Sequence, residues 1–297
     1  MSQTENALDY GEVKEPTFLE RLLVQKRWTL AWTITFVCVV IAVALSFFHL
    51  YVAVFGTPEG RSFRTTHLSV MMVLALLIQP LFRKSHFEAI DSPLKMLGFA
   101  VDLILVGAVI LVHVWTMWDI DAFQLRLGSK EEGDLIVGTI CIALVLEATR
   151  RTVGIAMVCV TGFFIVHALY AHKFFGFFYG PPTRPAKYID TMFMSTDGIF
   201  GIPLHVAATY IVLFIIFGGL LIRSGAGKFF IDLAVSLTGH RVGGPAKAAT
   251  VASGFMGTVS GSAVANVVTT GSFTIPLMKN LGYRAKFAAA VEACASS

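Results

Sequence analysis

The amino-acid sequence predicts an all-α, polytopic membrane protein whose last hundred residues carry a re-entrant helical hairpin. Three observations lead there. Hydrophobic residues make up 56% of the 297 and charged residues only 14%, with a mean hydropathy of +0.73; a soluble domain carries about 25% charged residues. Apolar runs near the length of a bilayer crossing, about 20 residues, recur along the first two thirds. Between Gly243 and Ser272, by contrast, twenty of thirty residues are Gly, Ala, Ser or Thr, and Lys247 is the only charge.

Residues 1–28, "MSQTENALDYGEVKEPTFLERLLVQKRW", are polar for two dozen positions and lack the short basic region and cleavage site of a secretory signal. They read as a cytoplasmic tail. Residues 29–171 then form a bundle of about five spans: Leu30 to Val54, Thr66 to Phe82, Leu97 to Trp118, Asp134 to Ala148 and Val153 to Ala171. Trp115 and Trp118 suit a headgroup interface.

Basic residues set the orientation. Lys14, Arg21, Lys26 and Arg27 precede the first span, Arg83, Lys84 and Lys95 separate the second and third, and Arg150 and Arg151 separate the fourth and fifth. The loop between three and four instead carries Asp119, Asp121, Glu131, Glu132 and Asp134. Cytoplasmic loops favour Lys and Arg, which places the N-terminus inside.

Residues 172–198, with "FFGFFYGPPTRPAKYID", hold three prolines and cannot form a regular span; they read as a non-cytoplasmic connection. From residue 199 a further span runs over about His205 to Ile222. "KFFIDLAVSLTGH" follows as an amphipathic helix, with Phe229, Phe230, Leu233, Ala234 and Leu237 opposite Lys228, Asp232 and Ser236.

The small, polar stretch is what needs explaining. Small residues let helices approach closely, but packing does not account for Asn266 near Ser260, Ser262, Thr269, Thr270 and Ser272. Glycines at 254, 257, 261 and 271 weaken a continuous helix. Irregular backbone at membrane depth persists only inside protein or beside a water-filled cavity. Transporters use that arrangement where half-helices meet at a tip whose oxygens gather a cation. Gly244 to about Pro276 therefore reads as a re-entrant hairpin with "SGSAVAN" at its tip.

Other features are mundane. Cys38, Cys141, Cys159 and Cys294 lack metal-ligand spacing and read as apolar thiols. Glu147, Arg150 and Arg151 form a salt-bridged helix end; Asp102 sits within reach of Lys95; His113 and His167 read as packed or interfacial. Pro276, Lys279, Arg284 and Lys286 mark the hairpin's cytoplasmic exit. A nucleophilic role for Ser260 or Ser262 lacks a base, since no histidine follows residue 240. No "GK[ST]" ends the glycine-rich run, which argues against a phosphate loop. The small net charge of +4 calls for no nucleic acid.

"LVLEATRRTVG" (Leu144–Gly154), "GIFGIPL" (ending at Leu204), "SGAGKFFIDLA" (Ser224–Ala234) and the long run from Gly243 to Ala293, "GGPAKAATVASGFMGTVSGSAVANVVTTGSFTIPLMKNLGYRAKFAAAVEA", together resemble a fused TRAP transporter permease, the small-plus-large subunit type that works with TAXI-class solute-binding proteins. The resemblance covers the chain from about residue 90. It implies a small-subunit-like scaffold over 29–171 and the start of a large-subunit transport domain over 199–297.

The resemblance further implies a multi-pass protein of a bacterial-type inner membrane that imports an organic acid, typically a carboxylate, on a Na⁺ gradient and with no other cofactor. Its partners would be a periplasmic TAXI-type binding protein, the organic anion, membrane lipids and the remainder of the large subunit. Carried over by position, Gly257, Ser260, Ser262 and Asn266 match the Na⁺-binding tip, and Thr269, Thr270 and Ser272 line the ion or substrate path. Ala263 stands where family members commonly have a second serine. The family's large subunit also has a second hairpin, which this sequence lacks, so it reads as a truncated chain that alone supports no uptake. The alternative reading is a scaffold module for a separate transport subunit.

Overall fold

The computed structural model describes residues 30–82, 92–129, 131–260 and 263–296. The polar tail, Arg83, Lys84 and Ser262 lie outside them. Among the described residues every regular element is helical. Helix α1 spans Leu30–Phe55, α2 Gly60–Ile78, α3 Pro93–Met117, α4 Ile120–Leu125, α5 Glu132–Thr152, α6 Ile155–Tyr170 and α7 Pro185–Phe193. Then come α8 Ile202–Val206, a π-helical stretch Ala207–Ile211, α9 Val212–Arg223, α10 Ala226–Thr238, α11 Gly244–Ser260, α12 Ala263–Asn280 and α13 Ala285–Ala295. Four helical stretches there are long and apolar enough to cross a membrane: Trp32–Phe55, Pro93–Met117, Ile155–Lys173 and Ile202–Leu220. The protein is a multi-pass membrane protein, all-α as the sequence predicts.

Helices α2 and α5, at the expected second and fourth spans, fall outside that set. Helix α2 also begins about six residues before, and ends four before, the expected bounds. Glu59 sets its start, accepting from the Arg61 and Ser62 amides at 2.9 and 2.7 Å, while Pro80 closes its end. Helix α5 keeps an ionisable group at each end.

The described residues pack as two compact units, one drawn from Met1–Ala44 and Leu68–Phe193, the other from Leu45–His67 and Met194–Ser297.

The first unit is organised by two buried carboxylates. Asp134 opens α5, reaching back to the Glu131 amide at 3.3 Å. It is only 1% exposed, takes a two-pronged ion pair from Arg126 at 2.9 Å per bond and accepts from the Trp115 indole at 3.0 Å. What reads in sequence as one of several acidic loop residues is a structural pin, and Trp115 turns its indole N–H to it, while Trp118 is largely exposed. The second carboxylate, Asp102, takes Arg151 as its partner at 2.6 Å, not Lys95 two turns earlier on the same helix. Arg151 also binds Glu147 at 2.7 Å and the Gln79 carbonyl at 3.2 Å; Arg150 stays on the exposed side of Glu147 at 2.8 Å.

Helix α5 meets α7 closely at Gly138, where Ile189 and Phe193 leave no room for a side chain. His167 is a packed histidine, set among Phe163, Phe174 and Phe178, with its Nε2 2.9 Å from the Phe178 carbonyl oxygen. The proline-rich connection forms two 3₁₀ turns before Pro185 starts α7, as its composition predicts.

The second unit has a core of Val52, Phe63 and Ala208 with Phe48 against it. Beside it the His49 Nδ1 lies 2.8 Å from the Leu45 carbonyl oxygen, and its Nε2 2.9 Å from Nδ1 of His67. A carbonyl only accepts, so Nδ1–H of His49 donates; the Nε2 lone pair of the neutral ring then accepts from His67. Arg61 lies 3.8 Å over the Phe200 ring and donates to the Met194 carbonyl at 3.1 Å.

Helix α10 is amphipathic, as the sequence predicts, but its inward face is Phe230, Ile231 and Ala234, packed on Phe255, Ala248 and Ala252. Phe229 and Leu237, read from sequence as part of the apolar face of a helix lying at the membrane interface, are exposed.

Candidate functional site

Helices α11 and α12 form an antiparallel hairpin: Asn266 meets Ser253, Thr270 meets Ser253, and Met278 packs with Ala249, each pair stepping away from residues 261–262. Ser260 ends one leg and Ala263 begins the other, where the sequence places the tip. Alanines 248, 249 and 252 and Ser253 are almost wholly buried, so small side chains set the closeness of the legs. The glycines at 254, 257 and 271, expected to weaken a continuous helix, lie within regular helix, at a cost of roughly 1 kcal/mol each. Pro276 too lies inside α12, which runs on to Asn280 rather than stopping at the proline; buried Met278, packed on Ala249 and Ala288, holds that last turn.

Asn266 is 3% exposed. Its Nδ2 donates to the Ser253 carbonyl at 3.0 Å, which fixes the orientation of the amide, since a carbonyl needs a donor. The opposite atom, Oδ1, is buried and has no hydrogen-bond partner among the described residues. An orphaned buried carbonyl oxygen costs about 1–3 kcal/mol, and its usual remedy is a ligand or ordered water. The backbone of Gly257 passes beside this amide: a Cβ there would lie 3.4 Å from Nδ2.

Behind Asn266, toward the open end of the hairpin, lies a fully buried polar cluster. Glu292, on α13, is 0% exposed. Its Oε1 accepts from the Thr270 hydroxyl and, at 3.3 Å, from Ser296; its Oε2 accepts from Thr274. The Ser253 and Ser296 hydroxyls lie 2.7 Å apart, and Ser253 is 3.4 Å from Thr270.

The structure thus brings together three of the sequence-derived positions, Gly257, Asn266 and Thr270. Ser260 and Thr269 lie in the two legs; Ser262 lies outside the described residues. Ser272 is exposed, on a different face of α12 from buried Thr270 and Thr274. Glu292, Thr274, Ser253 and Ser296 are additions that sequence reasoning missed. One signal was present: a lone carboxylate inside the alanine-rich run "AKFAAAVEACA" is an ionisable group in an apolar segment, which by itself asks for a functional account.

Comparison with known proteins bears on the same region. Residues 140–297 match the family "Tripartite ATP-independent periplasmic transporter, DctM component". Over 78 residues, 26% of the chain, it is 38% identical to the C4-dicarboxylate TRAP transporter large permease protein DctM of Rhodobacter capsulatus. Over 70 residues, 24% of the chain, it is 37% identical to a putative TRAP transporter large permease protein of Haemophilus influenzae. These stretches span 18% and 16% of the length of those two proteins. No solved structure matches.

Proposed function

The chain belongs to the DctM family of tripartite ATP-independent periplasmic transporters, and from that premise we propose that it is the membrane permease of a Na⁺-coupled importer of an organic acid. In this reading the hairpin is re-entrant, and Gly257, Ser260, Ser262 and Asn266 supply neutral oxygens to a sodium ion at its tip. Thr269, Thr270 and Ser272 border the ion or substrate path. A periplasmic binding protein of TAXI type delivers the substrate, for which a C4-dicarboxylate is the first to try. Residues 29–171 serve as the fused small-subunit scaffold, the N-terminus faces the cytoplasm, and the membrane is the inner one.

The observation that carries the reading is Asn266 Oδ1, a buried oxygen left without a partner beside the junction of the two legs. Hydroxyl, amide and carbonyl oxygens suit a hard cation, so the donor types present fit sodium. Bound Na⁺ would supply the missing partner and link ion binding to closure of the hairpin.

The test is a melting experiment on the detergent-solubilised chain in NaCl against KCl at equal ionic strength. A ligand that binds only the folded state stabilises it by roughly 1–3 kcal/mol at concentrations well above its Kd. Wild type should melt higher in NaCl, and Asn266→Ala should erase that increment. Identical melting of wild type in both salts defeats the proposal.

A further inference from the structure

We propose that Glu292 is a proton-binding site enclosed by the hairpin, with the hydroxyls of Thr270 and Thr274 as its exchangeable partners. The starting point is a buried carboxyl group set among hydroxyls. Its side chain is 0% exposed, and each of its hydrogen-bond partners is a hydroxyl: Thr270 and Ser296 on Oε1, Thr274 on Oε2. The other charged residues of the three helices in contact here, Lys247 on α11, Lys279 on α12 and Lys286 on α13, are all exposed, as is Cys294. A buried ionised group without a counter-charge is unfavourable, and the simplest compensation is a proton.

The hydroxyls make that proton exchangeable. A threonine hydroxyl has one hydrogen to give and lone pairs to accept with. Here each faces two acceptors: Thr270 Oγ1 lies 2.8 Å from the Asn266 carbonyl as well as on Oε1 of Glu292. Thr274 Oγ1 lies 2.9 Å from the Thr270 carbonyl as well as on Oε2.

With Glu292 ionised, both hydroxyls donate to the carboxylate. When a proton from water bonds to one carboxylate oxygen, the new O–H donates to the threonine beside it, and that threonine turns its own hydrogen to the carbonyl one turn back. Every hydrogen has an acceptor in both states, and no heavy atom has to move. One proton is taken up and no other bond changes. Ser253 and Ser296, 2.7 Å from each other, extend the run of hydroxyls beyond the acid.

The site shares Thr270 with the ion or substrate path proposed above but not the atom on which the sodium reading rests, Asn266 Oδ1, to which Glu292 makes no hydrogen bond. The experiment is infrared difference spectroscopy of the reconstituted chain between about pH 4 and pH 9, a range that brackets ordinary carboxyl and histidine titration. The expected result is a protonated-carboxyl C=O band that grows as pH falls and is missing in Glu292→Gln. Carboxyl bands that coincide in wild type and Glu292→Gln at every pH, or a Glu292 band constant across the range, overturn the proposal. Should Glu292→Gln fail to fold, the variant Thr270→Val/Thr274→Val retains the acid but strips its two partners. Its band should move to higher frequency, and an unmoved band is equally fatal. Neither outcome depends on whether sodium binds.

Discussion

The Arg151 guanidinium meets the Asp102 carboxylate at 2.6 Å with both side chains within 3% of full burial, although 49 residues separate them. Removing one member of such a pair strands the other's charge. Asp102→Ala is therefore expected to destabilise the chain by about 3–5 kcal/mol. Arg150→Ala, which removes only the exposed pair with Glu147, should cost no more than about 1 kcal/mol. Denaturant unfolding in detergent compares the two; equal costs would contradict the burial difference.

Glycine positions divide in the same way. A Cβ on Gly133 would sit 2.7 Å from the Trp115 ring, and one on Gly138 would sit 2.7 Å from Ile189 and 3.0 Å from Phe193. Alanine at either should cost about 1–3 kcal/mol through overpacking. Gly107 and Gly162, also helical, have open space at that position, so alanine there should be neutral or stabilise by up to about 1 kcal/mol. The same unfolding measurement distinguishes the pairs.

His49 and His67 offer a double-mutant test. Each is buried, and they share a 2.9 Å hydrogen bond. His49→Leu or His67→Leu alone leaves a buried nitrogen unsatisfied, at about 1–3 kcal/mol. Replacing both should cost less than the sum of the single changes, giving a coupling of at least about 0.5 kcal/mol. Strictly additive costs would show that the contact contributes nothing.

The three helices α1, α3 and α6 are legible in the sequence because their signal is local: a long apolar run closed by charge or aromatic residues. The hairpin is legible for a similar reason, since small and polar residues concentrate between Gly243 and Ser272. The ends of α2 are not legible from hydropathy because a glutamate cap at Glu59 and a stop at Pro80 set them. Pairings were the larger loss. Nothing local joins Asp102 to Arg151, or Arg126 to Asp134 in preference to the other acids of that loop. Within the candidate site, Asn266 was found because an amide is conspicuous among small residues. Glu292 was missed because its partners, Thr270 and Thr274, lie 22 and 18 residues earlier on a different helix.

The π-helical stretch Ala207–Ile211 amounts to one residue more than a regular helix needs between α8 and α9. Shortening the chain there would convert the wide turn to an ordinary one and leave the faces of Val212–Arg223 pointing as they do now. The same shortening further along would swing everything after it by about 100°. Tyr210 and Ile215 are comparably exposed, at 60% and 61%, so deleting each in turn isolates the effect of register. Loss of Tyr210 should leave a well-folded protein in gel filtration, while loss of Ile215 should not. Within Ile202–Arg223 a single-residue deletion would accordingly be absorbed at this turn.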